Sequence, residues 1–136
     1  MKVRDYKDMR VWQKGVDIVQ LVYGYTGNFP ANERYTMTSQ MRRSAVSIPS
    51  NVAEGFVRRY TKEYVQFLYV ALGSCAELDT LAVLARNKKY LDEKDMNDLT
   101  ASLNYEMRML TKLINHLVNS PEPRITGHKS LKLEGR

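Results

Sequence analysis

Along the first 119 residues, apolar side chains recur every three or four positions, the spacing of an amphipathic α-helix, and the pattern supports four helices and no strand. The first helix is predicted from about Asp8 to Tyr25, with Asp8 as its cap and Trp12, Val16, Val19 and Tyr23 on one face. "TGNFPANE" ends it, since Gly27, Asn28 and Pro30 together break a helix. A second helix runs from Thr36 or Thr38 to Arg59, with Met41, Ala45, Ile48 and Val52 facing inward. Thr61 reads as the cap of a third helix reaching about Lys88. Asp92, with Asp95 three residues on, opens a fourth to about Asn119. In that last helix Met96, Leu99, Leu103, Met107, Leu110, Ile114 and Leu117 hold a heptad-like spacing. Four long helices with short joints predict an all-α, up-and-down four-helix bundle over residues 1–119. The segment 120–136 loses the periodicity and gains two prolines and two glycines, as a flexible tail would.

The third helix carries more apolar surface than a monomer requires. Tyr64, Leu68, Ala71, Cys75, Leu78, Ala82 and Ala85 form a core stripe, and Val65, Tyr69, Leu72, Ala76 and Val83 form another about 100° around the helix. Val70 and Leu84 are apolar on the far side as well. A wide core-facing arc is one explanation, and a subunit interface built on this helix is the other.

The second helix raises a related question at "SIPSNVAEG", residues 47–55, where a proline and a run of small residues interrupt good helix formers. Proline inside a helix removes one backbone hydrogen bond and crowds the preceding turn, at a cost of about 3 kcal/mol. Helical geometry puts Val46, Pro49 and Ala53 on a flank, so a bend there would shape a contact with a neighbour, and the small residues would let a backbone approach closely. A stop at Ile48 with Pro49 in the first turn of a new helix is the alternative.

At 136 residues the chain is one domain, and its 43% apolar and 26% charged residues are ordinary for a soluble protein. No uninterrupted apolar run suits a bilayer and no secretory h-region opens the sequence, which predicts a cytoplasmic protein without a membrane partner. Cys75 is the only cysteine, so neither an internal disulfide nor a cysteine-based zinc site can form. The net charge of +6 changes the picture further, because residues 1–62 hold eleven Lys and Arg against five acids while the remainder balances. That asymmetry fits an anionic partner.

Catalytic patterns are missing from the sequence. His116 and His128 stand alone, outside any HExxH or Glu-x-x-His arrangement, and Glu54, Glu63, Glu77 and Glu106 have no companion metal ligands in sequence. Cys75 falls on the core stripe with no histidine base, and the glycines are scattered singly rather than gathered in a phosphate loop. These features predict no enzyme activity, no metal and no cofactor. Basic residues offer more. Arg42 and Arg43 lie together, Arg58, Arg59 and Lys62 cluster beside Tyr60, and Arg10 and Lys14 are one turn apart. Arginine binds phosphate bidentately and a neighbouring tyrosine can stack on an unpaired base, so these eight residues are the candidate nucleic-acid contacts. Pairing of Arg42 or Arg43 with Glu54 or Glu77 is the competing use.

"VWQKGVDIVQLVY", "QMRRSAVSIPSNVAEGF" and "FLYVALGSCAELDTL", in this order, resemble the bacterial four-helix-bundle family known from intervening sequences within 23S rRNA genes. The likeness spans roughly Tyr6 to Asn119, and the middle motif is the specific one. It is similar also to the accessory proteins of diversity-generating retroelements. The resemblance implies a homopentameric barrel, and in the retroelement branch nucleic acid and a reverse transcriptase as partners. Two expectations follow. One is a non-catalytic oligomer that binds RNA or DNA, with Val46, Pro49, Ala53, Val65, Tyr69, Leu72, Ala76 and Val83 between subunits. The other is a ring-shaped scaffold that docks a reverse transcriptase or another RNA-handling enzyme.

Overall fold

The structure, a computed structural model, describes residues 5–120. The tail beyond Ser120, with His128, lies outside the described residues. Within them the chain forms a short 3-10 turn at Tyr6–Asp8, α1 (Arg10–Thr26), a second 3-10 turn at Ala31–Glu33, α2 (Met37–Phe56), α3 (Thr61–Asn87) and α4 (Glu93–Val118), with no strand. Each helix packs on its neighbours in sequence, and α4 closes on α1. Direction alternates. Tyr6, Phe56 and Tyr64 join the start of α1, the end of α2 and the start of α3 through edge-on ring contacts. Phe29 and Tyr90 meet at the opposite end.

Burial follows the predicted stripes closely on two helices. All seven core-stripe residues of α3 are buried, as are Met41, Ala45, Ile48 and Val52 of α2. On α1 the inward face is rotated by one residue, about 100°, from the predicted one. Val11, Gly15, Ile18 and Val22 are buried, whereas Trp12, Val16 and Val19 are only half-buried and Tyr23 is exposed. Asp8 does not cap this helix. It ends the first 3-10 turn, which Asp5 caps by accepting from the Lys7 amide at 2.9 Å, and α1 begins after Met9 without a side-chain cap. Similarly Tyr60, not Thr61, precedes the first turn of α3. Asp92 does cap α4, accepting from the Asp95 amide at 2.8 Å.

The proline question has a clear answer. α2 runs through Pro49 without a stop. Pro49 is buried inside the subunit, so its ring does not itself lie on an outer surface as the flank position suggested. A Cβ added to Gly15 of α1 would lie 3.2 Å from the proline ring, which marks how closely the two helices approach. The small residues serve the other side of α2. Ser47 shares a 2.7 Å hydrogen bond with Ser74, Ser44 donates to Glu77 at 2.7 Å, and a Cβ on Gly55 would sit 2.8 Å from Tyr64 and Phe67. The close backbone approach is therefore between α2 and α3 of one chain.

α3 is long and apolar enough to cross a bilayer by length and composition, a property the absence of an uninterrupted apolar run concealed. Here one face of it forms the centre of the bundle. Its other stripe remains outside: Tyr69 and Val83 are exposed, as are Val70 and Leu84, and Val65 lines a groove with Leu117 and Val118 of α4. Val46 of α2 is exposed on a different side, near α1, and Ala53 is half-buried.

α4 contains one residue that apolar periodicity passed over. Glu106 is fully buried between Leu103 and Leu110, and neither carboxylate oxygen has a hydrogen-bond partner. Its Oε2 would touch a Cβ on Gly15 at 3.2 Å, which places the carboxyl where α1, α2 and α4 converge beside Pro49. Burial pushes this acid up to about 8 against the opposing influence of the Lys14 charge. Burial, followed by the nearby Glu106, pushes the Cys75 thiol up to about 12.

Candidate nucleic-acid interface

Arg42 lies near the start of α2 and Arg58 two residues past its end at Phe56, roughly 21 Å away along the helix at 1.5 Å per residue, so the predicted basic residues fall at two ends of the bundle. Arg58, Arg59, Tyr60 and Lys62 sit where α2 hands over to α3, the same end as Arg10. Arg42 and Arg43 lie at the opposite end. Lys14 lies one turn further along α1 than Arg10, its Nζ 5.4 Å from the centre of the Tyr105 ring.

The end holding Arg58 is partly committed to the subunit's own structure. Arg58 Nη2 is 3.7 Å from the Glu54 carboxylate and the guanidinium covers the Phe67 ring at 4.6 Å. Of this cluster Arg59, Tyr60 and Lys62 face solvent.

At the other end the structure assembles more than the sequence suggested. Tyr23 from α1, Arg34 and Tyr35 from the connection, and Thr38, Ser39, Arg42, Arg43 and Val46 from α2 line one open cleft of about 470 Å³. Arg42 is fixed within it. Its Nε donates to Thr26 Oγ1 at 2.8 Å and its guanidinium lies over the Tyr23 ring at 4.5 Å, while its two Nη groups have no protein partner among the described residues. Thr26 is itself anchored, donating to the Val22 carbonyl at 2.7 Å. A half-buried, stacked and hydrogen-bonded guanidinium has lost most of its rotamer freedom before any ligand arrives.

No carboxylate lines the cleft. Glu33, next to Arg34 in sequence, instead accepts from the Thr36 hydroxyl and, at 2.9 Å, from Tyr90. Those two hydrogen bonds hold its carboxyl below the usual range. Glu54 is turned to Arg58 and Glu77 to Ser44, so the competing ion pairs for Arg42 and Arg43 do not form within the subunit. Among the described residues the ion pairs are Arg58 with Glu54 and Lys94 with Asp98. Three guanidinium groups therefore converge without an acid to neutralise them.

Arg34, Tyr35 and Tyr23 were not among the residues that sequence reasoning selected as nucleic-acid contacts. Arg34–Tyr35 repeats the arginine–tyrosine adjacency of Arg59–Tyr60, and that was the available signal. Among the described residues no three of His, Cys, Asp or Glu gather as metal ligands.

The family model described as "23S rRNA-intervening sequence protein" matches residues 7–112. Among solved structures, a protein of unknown function from the S23 ribosomal protein family of Bacteroides thetaiotaomicron is similar in fold. It is 20% identical, with a TM-score of 0.70 over 76% of this chain and 97% of that one. No curated protein matches the chain.

Proposed function

This chain belongs to the 23S rRNA-intervening sequence protein family, and from that premise we propose that it is a non-catalytic protein that binds nucleic acid by its phosphates. The observation that carries the reading is the cleft of Arg34, Arg42 and Arg43, lined by hydroxyls and tyrosines and free of carboxylates. Phosphate contacts of this kind supply affinity without reading sequence. Arg59 and Lys62 form a weaker second basic surface at the far end. In an assembly, the homopentamer implied by the family resemblance, each cleft recurs and modest single-site affinities combine. The surface best suited to such assembly is the α3 stripe of Val65, Tyr69, Leu72, Ala76 and Val83, which stays largely uncovered in one subunit.

Anisotropy of labelled RNA and DNA at several salt concentrations tests this. Log affinity is expected to fall with log salt at about 0.7 to 0.9 per phosphate neutralised. Combined Arg34→Ala, Arg42→Ala and Arg43→Ala substitutions should weaken binding and flatten that slope by roughly two to three. Absence of binding at low salt would overturn the proposal. The second reading, a scaffold that docks an RNA-handling enzyme such as a reverse transcriptase, is favoured by the same exposed α3 stripe. It predicts a complex that survives loss of the three arginines and fails on Tyr69→Lys.

A further inference from the structure

The cleft differs from a plain cationic surface in one respect. A large aromatic ring stands in water at its edge. Tyr35 is 85% exposed, and among the described residues its ring makes no aromatic or cation contact. Tyr23, the other tyrosine of the cleft, is already used: its face carries the Arg42 guanidinium at 4.5 Å. One ring thus helps to hold the arginine, and the other offers an unoccupied π-face beside it.

We propose that the cleft receives an unpaired nucleotide, its base stacked on Tyr35 and its flanking phosphates held by Arg34, Arg42 and Arg43, so that the protein selects single-stranded over duplex nucleic acid. This inference rests on the nucleic-acid reading above and names the form of ligand that the same site takes.

Three features support it. Size is the first: about 470 Å³ lies within the range of small-molecule sites, roughly 300–1,000 Å³, which is room for one nucleoside. The second is chemistry. Phosphate-binding arginines beside an aromatic platform are the combination used on single strands, because every base has a π-face and a duplex hides it within its own stack. The third is support. Tyr35 lies between the 3-10 turn at Ala31–Glu33 and the start of α2, and that turn is tied down at Glu33 by Thr36 and Tyr90. The connection is also short, and Arg34 donates its amide to the Ala31 carbonyl at 3.2 Å, so the platform sits on ordered backbone.

The test uses the full-length protein and labelled oligomers of about 12 nucleotides, as single-stranded RNA, single-stranded DNA and the corresponding duplexes. Single strands of either sugar are expected to bind more tightly than duplex at the same ionic strength. Tyr35→Ala should lower single-strand affinity about five- to a hundredfold with the salt slope unchanged, and leave duplex affinity as it was. Tyr35→Trp should restore the single-strand preference. Because Tyr35 is exposed, these substitutions leave the bundle intact, which circular dichroism checks. Equal or tighter duplex binding by the parent, or a Tyr35→Ala variant indistinguishable from it, overturns the inference while leaving the phosphate reading standing. Absence of binding to every oligomer overturns that reading too. Displacement of bound single strand by poly-glutamate as readily as by unlabelled single strand would instead assign the cleft to acidic proteins and overturn the inference.

Discussion

Replacing Glu106 with Gln keeps the size of the side chain and removes its titration, so the variant isolates what a buried, unpartnered carboxyl does to stability. The group has a value of about 8 in the folded chain and 4.5 as its ordinary value. It therefore holds its proton more tightly when folded. The stabilisation linked to that proton is complete below pH 4.5, falls by about 1.4 kcal/mol per pH unit as pH rises between the two values, and is exhausted above 8. From pH 5 to 7 the loss is about 2–3 kcal/mol, a large share of the roughly 5–15 kcal/mol that holds a domain folded. Glu106→Gln has no such loss. Whatever the amide costs by lacking partners is constant with pH, and every other carboxylate is common to both proteins and cancels in their difference. Urea unfolding at fixed protein concentration, at pH 5, 6, 7 and 8, measures that difference. The variant should gain on the parent steadily up to about pH 8. Parallel curves across this range would refute the reasoning, since they would mean that the carboxyl reaches water or a partner in the folded chain.

Other expectations follow from the same structure. Lys14→Met removes the charge that favours ionised Glu106, so the parent's decline in stability should extend to higher pH, read from the same urea series. Gly55→Ala forces a Cβ to within 2.8 Å of Tyr64 and Phe67 and should cost about 1–3 kcal/mol by thermal or urea unfolding. Lys89, just past α3, has φ 66°, a left-handed conformation that favours glycine, and the Tyr90 amide reaches back to the Ala85 carbonyl at 2.9 Å. Lys89→Gly should therefore raise stability by about 0.5 kcal/mol. If the α3 stripe joins subunits, paired Tyr69→Lys and Val83→Lys substitutions should lower the mass seen by light scattering without loss of helix content.

What the sequence revealed depended on whether hydropathy carried the signal. On α3 the core residues are all apolar and evenly spaced, so the stripe was read residue by residue. On α1 a central packing position is Gly15, which has no hydropathy to announce it, and the reading settled on Trp12 and its companions one residue away. Glu106 escaped for the opposite reason, since a charged residue at a core position looks like solvent-facing sequence while its neighbour Met107 supplies a plausible substitute. The small residues around Pro49 mark close approach, as their size implies. Which helix approached was not legible, because a stripe of small side chains specifies distance and not identity. Arg42 and Arg43 could be selected from their pairing, but the cleft depends on a tertiary neighbour, Tyr23, and on a turn that carries Arg34 and Tyr35 to the same place.

The position of Cys75 has a practical consequence for watching this molecule at work. It is the chain's only thiol, fully buried, and its proton is held up to about 12. Alkylating reagents need an accessible thiolate, so the native fold shields this sulfur and labelling requires the bundle to open. The parent chain thus carries its own clock: the rate of modification in excess reagent reports how often the core is exposed. It also leaves the surface free for a chosen dye. A cysteine introduced at Ser39, on the wall of the arginine cleft, can be labelled selectively while Cys75 stays dark, giving a fluorophore whose environment follows occupancy of that cleft alone.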